Sequence, residues 1–170
     1  VKVSDLPLGK FRDKGVPIDN VSGYDSSREE LLLVASQSDL NLCRLVFATR
    51  MAMVKIVDGG EFDVSKRSVA ATKLQEGDEL LSVAVLREQK HMILQTRDGC
   101  FLRFLLEEIP EKKKAAIGVR GLRLAPGDLL EAVYYTPAQS DETIPYKSRN
   151  LALNSLKLAK RDGKGTKVRG

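Results

Sequence analysis

Acid–base and nucleophilic chemistry have little to draw on in this chain. His91 is its single histidine, set in an apolar stretch beside Met92 and Ile93, and Cys43 and Cys100 also sit in apolar runs. A Ser-His-Asp or Cys-His relay would have to be built on His91, and no Gly-x-Ser-x-Gly elbow offers a serine. No cluster of Cys or His has metal-ligand spacing, and two isolated cysteines read as reduced core thiols. Asp162-Gly163-Lys164-Gly165-Thr166 is glycine-rich, yet it lacks the first glycine of a P-loop and leads into no helical pattern. The pairs Glu29-Glu30 and Glu107-Glu108 read as solvated strand ends. No catalytic residue, metal or other cofactor is expected, and the chain alone is not expected to be an enzyme.

What recurs is positive charge. Lys10, Arg12 and Lys14 precede Gly15; Lys112, Lys113 and Lys114 precede Gly118; Lys160, Arg161 and Lys164 lead to Gly165, with Lys167 and Arg169 beyond. Lys66 and Arg67 hold the corresponding place in between. The whole chain carries +5, but residues 143–170 hold eight basic residues against Asp162 alone, which puts +7 there and leaves −2 on residues 1–142. A near-neutral body with a basic end points to a polyanion partner. Duplex DNA presents phosphates as a continuous line of charge, which a ladder of basic loops suits. Only Phe11 accompanies these clusters, so stacking of single-stranded bases is disfavoured. Backbone contact with little base readout, together with bending, fits better.

The elements that must position these loops are strands in a repeat. Val69-Ala70-Ala71-Thr72-Lys73-Leu74-Gln75-Glu76-Gly77-Asp78-Glu79-Leu80-Leu81-Ser82-Val83 lies without a gap over Val119-Arg120-Gly121-Leu122-Arg123-Leu124-Ala125-Pro126-Gly127-Asp128-Leu129-Leu130-Glu131-Ala132-Val133. Leu45-Val46-Phe47-Ala48-Thr49-Arg50 likewise matches Met92-Ile93-Leu94-Gln95-Thr96-Arg97, and each is followed by an apolar run with one cation, Lys55 or Arg103. The period is about 48 residues. Repeats are placed at approximately 6–61, 62–108 and 109–155, with a partial fourth at 156–170, all in a single domain spanning 1–170. Residues 31–36, 43–49, 53–57, 79–85, 91–96, 100–106 and 129–135 read as strands, bounded by turns at Asp58-Gly59-Gly60, Gly77-Asp78, Arg97-Asp98-Gly99 and Pro126-Gly127-Asp128. About four strands per repeat is the count of a propeller blade, and one blade cannot bury both its faces without a neighbour. An all-β, propeller-like architecture with basic loops on its rim is therefore expected.

With 42% hydrophobic and 30% charged residues the composition is globular. The longest apolar run, at residues 31–35, is far short of a membrane helix. The first residues lack the regions of a signal peptide and an initiator Met, so the chain is expected to be a piece of a larger protein.

These motifs resemble the C-terminal domain of the A subunit of bacterial type IIA topoisomerases, DNA gyrase and topoisomerase IV. The family's blade signature is matched by Thr49, Lys55, Lys66-Arg67 and Leu74 to Val83, and again by Thr96, Arg103, Lys112 to Lys114, Gly118 and Leu124 to Val133. Ala159-Lys160-Arg161-Asp162-Gly163-Lys164-Gly165 is similar to the Gln-Arg-Arg-Gly-Gly-Lys-Gly box of gyrase, with an acid in place of one glycine. The resemblance implies a β-pinwheel whose blades exchange strands, and a non-catalytic role in binding and bending duplex DNA around the rim. It implies as partners the B subunit, together with the rest of the A subunit, in an ATP-hydrolysing holoenzyme of the bacterial cytoplasm, at the nucleoid, with no membrane. The competing reading is a propeller-like protein-interaction module whose basic edge meets an acidic partner.

Overall fold

The computed structural model describes residues 1–169. Its strands are β1 (Arg44–Thr49), β2 (Met53–Asp58), β3 (Leu80–Leu86), β4 (His91–Thr96), β5 (Cys100–Leu105), β6 (Val119–Arg120), β7 (Leu130–Thr136), β8 (Thr143–Tyr146), β9 (Arg149–Ala152) and β10 (Thr166–Lys167). They form antiparallel sheets in the orders β3-β1-β2-β6, β10-β5-β4-β7 and β8-β9. The first two sheets have the same plan. A hairpin lies in the middle, a seven-residue strand later in sequence (β3 or β7) folds onto its first strand, and a two-residue strand from farther along closes its second strand. β6 thus reaches back past β3, β4 and β5, and β10 past β6, β7, β8 and β9. This exchange between successive units is that of a β-pinwheel, so a four-stranded blade draws on more than one sequence repeat.

Local chemistry sets the hairpins. The hydroxyl of Thr49 accepts from the N–H of Met53 at 3.1 Å, and that of Thr96 from the N–H of Cys100 at 3.2 Å. The Asp78 carboxylate accepts from the N–H groups of Glu79 at 2.8 Å and Met51 at 2.9 Å, which ties the turn before β3 to the β1–β2 turn. Asp128 does the same for Leu129 and Asp98. Gly77 and Gly127 precede these aspartates at φ of +73° and +78°, a conformation that a Cβ disfavours. Gly118 and Gly165 answer a different need. A Cβ on either would lie within 3 Å of a backbone oxygen, Val54 O or Phe101 O, where β6 and β10 enter their sheets.

Both faces of the central strands are covered, which is why they read as continuous apolar runs rather than alternating ones. Val46, Ala48, Val54 and Ile56 face Met92, Leu94, Leu102, Phe104, Leu122 and Leu130 across the interface between the two larger sheets. Ser82 Oγ and Tyr135 Oη meet across it at 3.1 Å, and burial pushes the Tyr135 phenol up to about 12. The outer face of β4–β5 packs Ile93 and Phe101 on Ile144, Tyr146 and Leu151 of the third sheet. The outer face of β1–β2 packs Leu45, Phe47 and Val57 under Leu33, Leu40 and Phe62.

Residues 31–36, expected as a strand, form none. The run joins no ladder and covers a sheet face with Leu33 instead. A short helix, α1 (Gln37–Leu40), follows it, capped by Ser36. The basic residues 157–169 are likewise no loose tail, since they supply β10.

Candidate nucleic-acid interface

Two basic loops occupy the same place on successive blades. After β2 and β5 the chain makes a 3-10 turn, at Gly59–Phe62 and Leu106–Glu108 respectively. The loop of residues 110–118 runs parallel to β2, with Glu111 bridged to Ile56 and the N–H of Lys112 donating to Ile56 O at 2.8 Å. The loop of residues 157–165 runs in the same way along β5, with Leu158 bridged to Arg103 and the N–H of Ala159 donating to Arg103 O at 2.9 Å.

The first loop is held from beneath by a buried cation. Lys55 is only 1% exposed, and its Nζ donates to the carbonyls of Lys113 (3.3 Å), Lys114 (2.7 Å) and Ala116 (2.8 Å) while lying 5.4 Å from the centre of the Phe47 ring. Burial lowers its pKa, and the nearby Glu61 opposes that shift. On β5 the half-buried Arg103, at the hairpin position that Ile56 holds on β2, donates from Nη1 to Asn154 O at 2.7 Å and Leu156 O at 3.2 Å, just ahead of the second loop. The cation-bearing strands recognised in the sequence therefore turn Lys55 inward to clamp its loop and leave Arg103 half-buried ahead of the other.

Among the expected site residues, Lys112, Lys113 and Lys114 stand together on the first loop. Lys113 Nζ pairs with Glu61 at 3.3 Å, and Lys114 donates its N–H to the same carboxylate at 2.8 Å and its Nζ to Glu61 O at 2.6 Å. The Lys114 N–H, with help from Lys113, holds the Glu61 carboxyl below its ordinary range. On the second loop Lys160 and Lys164 are exposed, as are Lys167 and Arg169 after it. Arg161 is turned inward, with Nε on Glu108 O at 2.9 Å, Nη1 on Arg120 O at 2.6 Å and its N–H on the Glu108 carboxylate at 3.0 Å. Glu108, expected to be solvated, is thus a fixed acceptor. Lys66 and Arg67 are exposed in the irregular stretch before β3, and Lys10, Arg12 and Lys14 are exposed near an Asp13-closed turn at the beginning of the chain. Gly15 is open around its α-carbon, unlike Gly118 and Gly165, so the first basic segment has no sheet edge to enter.

Two arginines absent from the expected set belong beside these loops. Arg120 and Arg123 flank the Leu122–Gly163 bridge, and both pair with Asp162. The sequence held a partial signal for Arg123, because Lys73 occupies the same position in the preceding repeat. A surface cleft beside them is lined by Arg123, Lys164 and Lys167 along with Thr96, Cys100 and Leu124. Among the described residues no group of three or more His, Cys, Asp or Glu is placed to hold a metal ion, and no helix is long and apolar enough to cross a membrane.

The model of the family described as DNA gyrase C-terminal domain, beta-propeller, matches residues 44–87 and 90–137, more than half of the chain. The chain belongs to that family. The match breaks at residues 88–89, between β3 and β4, where one hairpin unit gives way to the next. The DNA gyrase A subunit of Lawsonia intracellularis is 30% identical over 97% of the chain, as is that of Helicobacter pylori, and the chain spans 21% of each of these proteins. The solved C-terminal domain of DNA topoisomerase IV superposes with a TM-score of 0.79 at 23% identity, over 96% of this chain and 53% of that one. The DNA gyrase A C-terminal domain does so with 0.72 at 18% identity, over 94% of this chain and 54% of that one. These two likenesses bear on the fold, and they agree with the strand exchange. In this family member the two basic loops lie at equivalent places beside β2 and β5.

Proposed function

We propose that this chain is a non-catalytic DNA-binding domain of the A subunit of a bacterial type IIA topoisomerase, which holds duplex DNA by its phosphates and bends it. The observation that carries the reading is the pair of basic loops, 110–118 and 157–165, lying at equivalent places on successive blades alongside β2 and β5. Cations at one place per blade trace a path rather than a spot, and a duplex that follows such a path must curve. Lys112, Lys113, Lys114, Lys160, Lys164, Lys167 and Arg169 are the proposed phosphate contacts along it. Lys66 and Arg67 extend it toward β3, and Lys10, Arg12 and Lys14 add charge from the first segment. Arg161 acts as a support for the second loop. The domain serves the B subunit, together with the rest of the A subunit, by presenting DNA for ATP-driven strand passage. It needs no cofactor of its own and works in the cytoplasm on nucleoid DNA.

Titration of this chain with unrelated duplexes across a salt series tests the reading. Neutralising about six phosphates gives a log–log slope near −5, and the duplexes agree within a few-fold because phosphates carry no sequence. Equal affinity at about 50 and 200 mM salt would refute it.

A further inference from the structure

Asp162 stands on its own among the acids of the surface. Its backbone has φ of +64°, where glycine is the ordinary residue, and it is held there by its N–H on Gly121 O at 2.8 Å. Its carboxylate accepts both Nε and Nη2 of Arg120, the latter at 2.9 Å, and lies 4.0 Å from Nη2 of Arg123. Arg161 is close behind, spanning to Arg120 O. The side chains of Arg120 and Arg123 remain 53% and 54% exposed, so the seat is open to solvent. From Arg123 the adjoining cleft continues past Lys164 and Lys167.

A guanidinium offering two parallel N–H donors is the geometry that grips either a carboxylate or a phosphate. We propose that Arg120 and Arg123 form a backbone-phosphate seat and that the Asp162 carboxylate occupies it as an internal competitor, so that DNA engages this blade junction only by displacing the acid. The Arg120 guanidinium keeps the Asp162 carboxyl below its ordinary range, so the competitor is charged at neutral pH. The competitor sets how tightly DNA lies at the point where the second basic loop meets β6. This inference rests on the duplex-binding reading above.

Asp162→Asn and Asp162→Gly test it in the full chain. Asparagine and glycine both accept the left-handed backbone, and thermal unfolding verifies that each variant folds. With the parent, a 30-bp duplex and a salt series, each variant is expected to bind three- to ten-fold tighter at about 100 mM salt, with a log–log slope steeper by about one. Asp141→Asn, which makes the same change in net charge elsewhere, should gain less than two-fold. In an Arg120→Gln/Arg123→Gln background, Asp162→Asn should confer no gain. A parent that binds duplex while neither Asp162 variant binds more tightly overturns the competitor, as does a gain that survives loss of both arginines. A parent and variants that are all inert toward duplex overturn the duplex-binding reading as well.

Discussion

A lysine ammonium taken out of water must find acceptors, and Lys55 finds three carbonyls in a loop 58 to 61 residues ahead of it. Lys55→Met keeps most of the stem and leaves those carbonyls without their donor. The expected loss of stability is about 3 kcal/mol in urea unfolding, with faster amide exchange confined to residues 112–118. Faster exchange spread evenly over both sheets would argue against a local clamp. His91 makes a second prediction at this scale. Its Nδ1 lies 3.2 Å from Pro137 O and its Nε2 is 3.5 Å from Arg103 Nη2, so a second proton on the ring would face a guanidinium. Burial, and then Arg103, lower its pKa below the ordinary 6.5. Between the lowered value and 6.5 the unfolded chain holds a proton that the folded chain does not. Stability is therefore complete above that window and falls as pH drops through it. The thermal midpoint should fall between pH 7 and 5, and His91→Gln should flatten that slope. Glu61 and Asp162, also shifted down, lose their share only in more acidic solution. The sequence showed that a cation recurs in each second hairpin strand, but a partner so far along the chain leaves no local pattern to say that it points inward.

Turns and hairpins were the most legible elements, because Thr, Gly and Asp act on neighbours a few residues away. Gly118 and Gly165 recur in register in the sequence, and the structure supplies the cause in the close passage of each past a strand backbone. Gly118→Ala should push β6 off β2 and cost about 1–3 kcal/mol, read by chemical denaturation, whereas Gly15→Ala should leave the sheets untouched. The two-residue strand β10 escaped sequence reading because two residues cannot show an alternation, and the strand expected at 31–36 failed because apolar character alone does not supply a ladder partner. The basic loops make a contrasting prediction. Replacing Lys112, Lys113 and Lys114 together by Ala should weaken duplex binding and make the salt slope shallower by about one to three, with little change in thermal midpoint. Leu130→Ala, at a position with 0% exposure between the sheets, should instead cost about 2–5 kcal/mol through a cavity.

For the molecule as a whole, repetition pointed to a propeller-like fold, which was visible without coordinates, while charge division pointed to the polyanion partner proposed above. What they could not convey is that the basic end is structural. Removing residues 157–170 would take β10 from β5, so charge must be tested without deletion. Lys160, Lys164, Lys167 and Arg169 changed together to Gln should reduce the bending of a duplex of about 150 bp, followed by energy transfer between its ends, more than the affinity for short duplexes. Undiminished bending would remove the second loop from the DNA path.

The late arrival of β6 has a consequence for the birth of the molecule. A ribosome making this chain releases the β1–β2 hairpin well before Val119 and Arg120, the residues that close the β2 edge. At roughly 5–20 residues per second, the interval from Asp58 to Val119 lasts about 3–12 s. Throughout it the nascent hairpin shows an open, apolar strand edge of the kind that recruits other chains. Crowded polysomes are then the setting in which this architecture is most exposed to mispairing, and slowing translation between codons 58 and 119 should increase the insoluble fraction without altering a single residue.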